Sequence, residues 1–363
     1  MSYLGPKVYI DLHQLKKNYH IVKSEVGEIP IMATVKANAY GHGAVEVSKA
    51  LEQEGVRYLA VFTIDEGIEL RDAGIKTDIF IYAKFDPTRI EEASKHNLTL
   101  NISSFDDLKA LKAHNGNSVK VHLKIDTGMT RLGVPYEQAE DFLKEANQIE
   151  SIELEGLYSH FATADDIDTT FMYEQLETFN KILPKERSLI RHAANTSALV
   201  DHPKTHLDLV RPGLSVYGCH YAKHLRSKIN LKPCMSVHAQ IIAIKIMPSG
   251  SYSGYGKSYK YERKSRIAVI PIGYGDGYFR SLSNQAVVQI KGKFAPVRGR
   301  VSMDQITVDI TDHPELNIGD SVEIISNNSL APNSVENLAR LANTIPYEIT
   351  CHMGRNLNHK LVD

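Results

Sequence analysis

Up to about residue 215 the sequence alternates short β-rich runs with segments of helical periodicity, and this alternation restricts the fold more than any other feature. Between the runs, apolar residues recur at helical spacing, and a further helix with Leu12, Leu15, Tyr19 and Val22 on one face precedes the first run. The predicted strands are 31–36, 58–62, 78–82, 98–102, 119–125, 152–159, 188–193 and 207–211, and the helices between them include 43–54, 136–147 and 170–182. Alternating strand–helix units build parallel sheets, and eight such units close most naturally into a ring. The sequence therefore predicts an α/β fold with an N-terminal (β/α)8 TIM barrel.

The pattern changes beyond about residue 228, where β-rich runs are separated by Gly, Pro, Asn and Ser turns. Only 334–342 has a helical pattern there, with Ser334 as the predicted N-cap. We therefore expect a C-terminal, mainly antiparallel β domain. The predicted division is a barrel over residues 10–228 and a β domain over 229–363 together with 1–9, with the boundary in the polar stretch 221–232.

Charge and composition exclude several classes of protein. The 42 Lys and Arg residues nearly cancel the 43 Asp and Glu residues, so the chain shows no basic surface for nucleic acid or anionic membrane. Cys219, Cys234 and Cys351 have unrelated spacings, which predicts neither a disulfide framework nor a metal site. The N-terminus lacks the apolar core of a signal peptide, and no apolar stretch approaches the roughly 20 residues of a membrane span. We expect a cytoplasmic protein that acts on small molecules.

The carboxyl ends of barrel strands are where such folds hold their reactive groups. Residues 35–43, which include Lys36, form the end of the first predicted strand and the loop that follows it. A lysine that leaves a strand end among apolar neighbours loses hydration, so its pKa falls and amine chemistry becomes possible, although a solvated lysine is the ordinary alternative. The fifth, seventh and eighth strands are followed by 124–133, 192–197 and 211–218.

Read together, these strand ends resemble those of bacterial alanine racemases. The second part of the chain adds 253–256, 273–278 and 300–305, so the resemblance covers nearly the whole length in order. It implies a pyridoxal-phosphate (PLP) enzyme that interconverts L-alanine and D-alanine and supplies D-alanine for peptidoglycan. It also implies a homodimer with shared active sites and no metal.

The resemblance assigns Lys36 to hold PLP through its amine. A phosphate dianion needs backbone N–H groups and hydroxyls, which barrels usually supply after strands seven and eight. The residues that the resemblance places at this phosphate are Tyr40, Asn195, Thr196, Gly213, Leu214 and Tyr347. Thr196 stands where serine is common in the family and keeps the hydroxyl.

Arg211 matches the arginine that faces the pyridine nitrogen of PLP. Because an arginine does not give up its proton at relevant pH, it leaves that nitrogen unprotonated and the ring a weaker electron sink. Such a ring should restrain transamination and decarboxylation. The structural alternative is an arginine paired with Asp208.

Racemisation needs two bases, one on each face of the α-carbon. The resemblance gives Lys36 as one and Tyr255, from the β domain of a second subunit, as the other. A phenol with an ordinary pKa near ~10 is a poor base at neutral pH, so its phenolate needs support. The resemblance assigns this support to His160 and Arg211.

Lys124 and Arg131 would be neighbouring cations in the family's arrangement, with Arg131 directed at the PLP ring hydroxyl and the substrate. In many members of the family this lysine is carbamylated, which replaces its positive charge with a negative one and removes the repulsion. We therefore expect Lys124 to be an N-carboxylysine. The alternative is a plain lysine bound to Asp126.

The residues that the resemblance places near the substrate come from the partner subunit. Met303 offers a backbone N–H to the substrate carboxylate region, Asp304 lies beside it, and Tyr274 narrows the entrance. Outside that entrance, Arg280, Arg300 and Asp165 are expected to line a corridor.

Three alternatives remain. A fold-related basic-amino-acid decarboxylase is disfavoured by Arg211, and a non-catalytic single-barrel PLP protein is disfavoured by the residues that follow the barrel. A racemase of another amino acid stays open, because substrate width depends on side chains near Tyr347 and Tyr274. The C-terminal sequence 351–363 departs from the family's commoner Arg-Val-Pro-Arg type and leaves the packing of that end open.

Overall fold

The structure is a computed structural model that describes residues 5–182, 189–220 and 222–362. In chain order its strands are β1 (Lys7–Asp11), β2 (Met32–Thr34), β3 (Tyr58–Val61), β4 (Asp78–Ile81), β5 (Leu98–Ile102), β6 (Val119–Asp126), β7 (Val134–Pro135), β8 (Ile152–Tyr158), β9 (Ile190–His192), β10 (Met235–Gln240), β11 (Ala243–Met247), β12 (Tyr252–Ser253), β13 (Tyr259–Lys260), β14 (Ser265–Ile270), β15 (Val287–Ile290), β16 (Lys293–Pro296), β17 (Ile306–Asp309), β18 (Ser321–Ile325) and β19 (Asn358–Val362). Its helices are α1 (Leu12–Val26), α2 (Ala44–Gln53), α3 (Ile64–Asp72), α4 (Ile90–Lys95), α5 (Phe105–Ala113), α6 (Ala139–Ala146), α7 (Thr170–Lys181), α8 (Thr196–Asp201), α9 (Val335–Ala342) and α10 (Pro346–Asn356).

A parallel sheet in the order β2-β3-β4-β5-β6-β8-β9 forms most of the barrel. The eighth predicted strand, 207–211, contributes a single bridge instead of a ladder, but its backbone still closes the ring. Val210 donates to the carbonyl of Pro30 at 3.1 Å and accepts from Met32 at 2.9 Å, while Asp208 donates to Arg191 at 3.0 Å. The predicted (β/α)8 barrel is therefore confirmed. Residue 188, the first of the predicted seventh strand, lies outside the described residues.

The barrel helices bury the faces that their periodicity indicates, with one exception. Phe171 has helical spacing with Gln175 and Phe179, which predicts that all three lie on the core face of α7. Gln175 and Phe179 are buried, but Phe171 is 40% exposed, and Met172 is buried in its place. The reason is register, because Met172 falls in line with the buried residues that follow it, whereas Phe171 lies one position away. Phe171 instead covers Gly128, where an added Cβ would lie 2.7 Å from its ring.

The second part of the chain is mainly antiparallel, as predicted. One sheet has the order β16-β15-β18-β10-β1-β19, in which only β1 and β19 run parallel, and a second has the order β11-β14-β17. Ser334 accepts a hydrogen bond from the backbone of Asn337 and caps α9, which confirms the predicted N-cap.

The expectation that 334–342 is the only helix in this part is wrong, because α10 follows it. Pro346 occupies its first turn, where a proline without an N–H is tolerated, and Ile349 and Met353 are buried on one face. The unusual C-terminal sequence thus continues α10 and then pairs as β19 along β1.

The buried apolar residues form two large clusters, one between the barrel strands and their helices and one between the β sheets and α9, and a smaller third cluster that includes Met32, Phe80 and Tyr158. Leu12 and Tyr347 pack against both large clusters. Tyr347 thereby brings the β region to the open end of the barrel. No helix in the described ranges combines the length and apolar character that crossing a membrane requires.

Candidate active site

A cavity of about 720 Å³ lies at the carboxyl ends of the barrel strands. It is lined by Thr34, Lys36, Ala37, Tyr40, Phe62, Tyr82, Lys124, Arg131, Leu132, Tyr158, His160, Asn195, Thr196, Arg211, Gly213, Tyr347 and Cys351. Most of the predicted cofactor residues therefore meet in one place. Leu214 does not line the cavity, because its side chain is fully buried in the apolar cluster of the β region.

The segment after β2 adopts a backbone that the sequence analysis did not foresee. Ala37, Asn38, Ala39 and Tyr40 all have φ between 50° and 54°, so four L-residues in succession form a left-handed turn. This conformation costs roughly 1–2 kcal/mol per residue, and such strain persists only where the surroundings enforce it. The turn places both Lys36 and Tyr40 on the cavity wall.

Three contacts hold the ends of this turn. The amide of Ala37 donates to Oε1 of Glu66 at 2.8 Å, and Oδ1 of Asn38 accepts from the amide of Ala44 at 2.8 Å. The turn also touches α10, where a Cβ on Gly354 would lie 1.8 Å from the carbonyl oxygen of Gly41. Only glycine permits this approach of two backbones.

The amine of Lys36 lies in an aromatic corner of the cavity. Its Nζ is 6.0 Å from the ring centre of Phe62 and 5.7 Å from that of Tyr82. Burial lowers the pKa of Lys36, and the charge of Arg131 lowers it further. The structure thus supplies a lysine whose neutral, nucleophilic form is favoured.

Hydroxyl groups gather at another side of the cavity, around Gly213. A Cβ at Gly213 would lie 3.0 Å from the hydroxyl of Tyr40, so the glycine keeps this corner open. The amide of Gly213 donates to the hydroxyl of Thr196 at 2.9 Å, and the ring of Tyr347 meets that of Tyr40 edge-on at 5.1 Å. Asn195 caps α8 through Oδ1, which accepts from Ala198 at 3.1 Å.

Arg211 is buried, and its guanidinium group makes several hydrogen bonds to neighbouring strands and loops of the barrel. It donates to Nδ1 of His192 at 2.7 Å, to Nδ1 of His160 at 3.1 Å, and to the carbonyls of Ser159 and Ala193 at 2.8 and 3.0 Å. The alternative in which Arg211 pairs with Asp208 is wrong.

Asp208 instead binds Arg191 through both of its oxygens, at 2.6 and 3.0 Å. Arg191 lies within β9 and does not line the cavity. The carboxylate of Asp208, which binds it, is therefore also outside the site. Within the described ranges, Arg211 forms no ion pair with any carboxylate. Its charge is therefore available to the cavity.

Lys124 is a second buried amine, with Nζ 5.1 Å from the ring centre of Tyr158. Burial lowers its pKa to about 8, with further lowering by Arg211 and Arg131. The alternative of a lysine bound to Asp126 finds no support. Oδ1 of Asp126 accepts from the amides of Gly128 and Thr130 at 2.9 and 3.0 Å, and the described residues contain no ion pair of Lys124.

The residues predicted to come from a partner lie elsewhere on the chain. Tyr255, Tyr274 and Met303 are 68%, 44% and 55% exposed on the surface of the β region, and Asp304 is exposed beside them. The amide of Gly275 donates to the carbonyl of Met303 at 2.8 Å, which joins these two motifs. None of these side chains lines the cavity within the same chain.

The corridor residues are also outside the cavity. Arg280 and Arg300 are exposed on the β region and Asp165 is half-buried, while a Cβ on Gly256 would meet the guanidinium of Arg300 at 3.0 Å. Phe62, Tyr82 and Cys351 also line the cavity, although they were not among the predicted site residues. Phe62 and Tyr82 directly follow β3 and β4, so reading every strand end would have found them.

Comparison with known proteins agrees with this geometry. A model of the alanine racemase N-terminal domain matches residues 10–221, and one of the alanine racemase C-terminal domain matches residues 234–361. The alanine racemase of Halothermothrix orenii is 40% identical over 357 residues, which cover 96% of this chain and 94% of that protein. The alanine racemase of Clostridium kluyveri is 37% identical over 359 residues, covering 96% and 92%.

Solved structures give the same result. Alanine racemase from Clostridium difficile 630 superposes with a TM-score of 0.92 at 33% identity, covering 100% of this chain and 97% of that one. The alanine racemase from Bacillus anthracis with bound L-Ala-P gives a TM-score of 0.91 at 30% identity, covering 100% and 96%. The chain therefore belongs to the alanine racemase family.

Proposed function

We propose that this chain interconverts L-alanine and D-alanine with two bases, Lys36 of one subunit and Tyr255 of a second, and supplies D-alanine for peptidoglycan in the cytoplasm. As a family member, it is a PLP-dependent alanine racemase. The observation that carries the proposal is the shared cavity of Lys36, with its lowered pKa, and Arg211, with no carboxylate partner in the described ranges.

The donors around the cavity fit PLP. Lys36 offers an amine for its aldehyde, and Arg211 offers N–H donors for the ring nitrogen. For the phosphate we propose the hydroxyls of Tyr40, Thr196 and Tyr347, with Asn195 and the backbone of Gly213 and Leu214. When bound, PLP withdraws electrons from the amino acid and makes its α-proton acidic. The corner left open by Gly213 supports this assignment.

Lys36 and Arg211 have complementary tasks. Because burial favours the neutral amine, Nζ of Lys36 can accept a proton from the α-carbon on one face and return it. Arg211 would donate to the ring nitrogen through an N–H whose proton it does not release, which would limit how far the bound cofactor withdraws electrons. This restraint favours racemisation over decarboxylation.

Tyr255 is proposed as the base on the opposite face, contributed by the partner in a homodimer. Support comes from the exposed group of Tyr255, Tyr274 and Met303, because large apolar side chains gathered on a surface mark an interaction site. His160 accepts from Arg211 at Nδ1, so its proton is on Nε2, where it can stabilise a phenolate.

The remaining substrate contacts are also proposed across the dimer. The backbone N–H of Met303 would bind the substrate carboxylate, with Asp304 beside it, and the ring of Tyr274 would narrow the entrance. Arg280, Arg300 and Asp165 would line the corridor. We further propose the division into a barrel domain, 10–228, and a β domain, 229–363 with 1–9, which two separate apolar clusters support; residues 1–4, 183–188, 221 and 363 lie outside the described ranges.

Lys124 is proposed to carry a carbamate. Its neutral amine would attack CO₂, form an N–C bond and release a proton, which converts a cation into an anion. The pKa of about 8 supports this, because much of the amine is neutral at slightly alkaline pH. An anion there would orient Arg131 towards the ring hydroxyl of the cofactor and relieve repulsion between buried cations.

The test is to incubate purified protein and PLP with L-alanine and to measure D-alanine, beside reactions with serine, lysine and ornithine. We expect alanine to be racemised fastest and Lys36→Ala to be inactive. Faster racemisation of lysine or ornithine, or amine formation by decarboxylation, would contradict the proposal.

A further inference from the structure

Arg211 begins a row of polar side chains that runs through the interior of the barrel, away from the cavity. Its Nη1 is 2.7 Å from Nδ1 of His192, and Nε2 of His192 is 2.8 Å from Nδ1 of His122. Nε2 of His122 then lies 3.8 Å from Oε2 of Glu155. Both histidines are fully buried, and Glu155 is mostly so.

The protons in this row can point only one way. A guanidinium has donors but no acceptor, so Nδ1 of His192 must accept and its proton must be on Nε2. That proton is donated to Nδ1 of His122, so the proton of His122 is in turn on Nε2 and faces the carboxylate of Glu155. A protonated, doubly donating imidazole at either position would break the row.

The surrounding chain is built to hold these two rings. Tyr158 stacks on His192 with ring centres 4.8 Å apart and an interplanar angle of 3°. A Cβ on Gly156 would lie 2.8 Å from Nδ1 of His122, so only a glycine in β8 leaves room for that ring. The pairing of β6 with β8 also shifts register at His122, as expected where a strand turns a side chain to a new direction.

The charges at the two ends explain the order of the groups. Arg211 is a buried cation without a carboxylate partner in the described ranges, and Glu155 is the carboxylate at the far end. Neutral imidazoles between them direct their lone pairs towards the cation and their N–H bonds towards the anion. Burial and the charge of Arg211 lower the pKa of His192, and burial lowers that of His122, which agrees with neutral rings.

We propose that His122 and Glu155 are positioning residues that keep His192 as a hydrogen-bond acceptor and thereby hold Arg211 in its orientation towards the cavity. This inference rests on the proposed role of Arg211 at the cofactor's ring nitrogen. Glu155 also contacts Lys120 at 3.3 Å, so the row reaches the opposite end of the barrel from the cavity.

The first measurement uses the wild-type holoenzyme, deuterated and labelled with ¹⁵N-histidine. Long-range ¹H–¹⁵N correlation spectra distinguish the two neutral forms of imidazole from the cation. From about pH 6 to about pH 9, where an ordinary histidine titrates, we expect His122 and His192 to remain neutral with the proton on Nε2. A proton on Nδ1 of His192, or a charged His122, would overturn the proposal without any variant.

The second measurement compares Glu155→Gln with Glu153→Gln, an exposed position on the same strand. Glu155→Gln keeps an acceptor but removes the charge, so we expect kcat to fall about tenfold with KM for alanine unchanged, and the Nε2 proton of His192 to move upfield. Glu153→Gln should change neither.

An unchanged His192 resonance and unchanged kcat in Glu155→Gln would refute the positioning role while leaving the racemase proposal intact. A wild type that does not racemise alanine would instead refute the proposed function, whatever the spectra show.

Discussion

Arg211 and His160 are joined by a hydrogen bond of 3.1 Å between Nη2 and Nδ1. Because the guanidinium can only donate, neutral His160 carries its proton on Nε2. Burial holds the pKa of His160 well below its ordinary value, and the charge of Arg211 lowers it further. His160 therefore offers a neutral donor to the proposed Tyr255 phenolate, and under that proposal the second base would depend on a geometry that Arg211 sets.

Tyr255→Phe tests the two-base proposal, since it keeps the ring and removes only the ionisable oxygen. In deuterated water the variant should still exchange the α-hydrogen of D-alanine, which Lys36 serves, while exchange from L-alanine nearly stops. Racemisation should collapse in both directions, as followed by NMR and a chiral assay. Tyr252→Phe, at an exposed tyrosine of β12 with no role in the proposed site, is the matched control, and equal exchange of both enantiomers by Tyr255→Phe would assign the chemistry to another group.

If each active site combines residues of both subunits, two inactive variants should restore activity when they are mixed. Lys36→Ala and Tyr255→Ala subunits form a hybrid in which one site carries both wild-type bases. We expect about a quarter of wild-type activity at complete exchange, because half of the dimers are hybrids with one intact site. Native mass spectrometry verifies the exchange, and hybrids without activity would show that the site is built within one chain.

Arg211→Glu should alter the product and not only the rate. A carboxylate would keep the cofactor's ring nitrogen protonated and strengthen the electron sink, so racemisation should fall while transamination to pyruvate rises. Arg191→Gln removes the arginine that Asp208 binds and should leave the product ratio unchanged. A constant ratio in Arg211→Glu would mean that Arg211 does not contact the nitrogen.

Carbamylation of Lys124 should increase as pH rises through about 8, because only the neutral amine reacts with CO₂. Enzyme equilibrated with ¹³C-bicarbonate should give a carbamate signal that strengthens from pH 7 to pH 9. Lys124→Arg should lack that signal. A signal that persists in this variant would come from another lysine.

Acidification should destabilise the fold through the buried histidine His42. Burial lowers the pKa of His42 to about 4 in the folded protein, whereas in the unfolded chain it is near 6.5. Between pH 6.5 and pH 4 the unfolded chain therefore binds one proton at this histidine that the folded protein does not bind. The contribution is complete above pH 6.5 and is lost as pH falls towards 4, by roughly 1.4 kcal/mol at pH 5.5. Urea unfolding at several pH values measures the slope, which His42→Gln should flatten and His13→Gln, at an exposed histidine, should not.

Strand-end positions were predictable because a parallel barrel fixes where side chains meet. Lys36, His160 and Arg211 each follow or end a predicted strand, so the strand pattern predicts that they meet at one edge, whereas their roles were given only by the family resemblance. The left-handed turn at Ala37–Tyr40 was not predictable, since no preference of alanine or tyrosine favours positive φ. Contacts from distant parts of the chain impose it.

The partners of Arg211 and Asp208 show the same limit. The nearness of Asp208 and Arg211 in sequence suggested an ion pair. Side chains alternate between the two sides of an extended segment, so residues 208 and 211, one even and one odd, point to opposite sides. The backbone at Val210 closes the barrel between them. Asp208 therefore meets Arg191 outside, while Arg211 meets His192 inside. Because the predicted strand 207–211 forms only a single bridge, the distance in sequence between Asp208 and Arg211 did not show which of them faces the barrel interior.

The contact of Gly41 with Gly354 joins the lysine turn to the last helix of the chain. During synthesis the turn leaves the ribosome long before helix α10 does, so for most of translation only the contacts with Glu66 and Ala44 can hold it in its left-handed form. We expect the cofactor to be captured only after the final segment has docked. Loading would then report that helix α10 has been made and has docked, and a product terminated before Pro346 would stay empty.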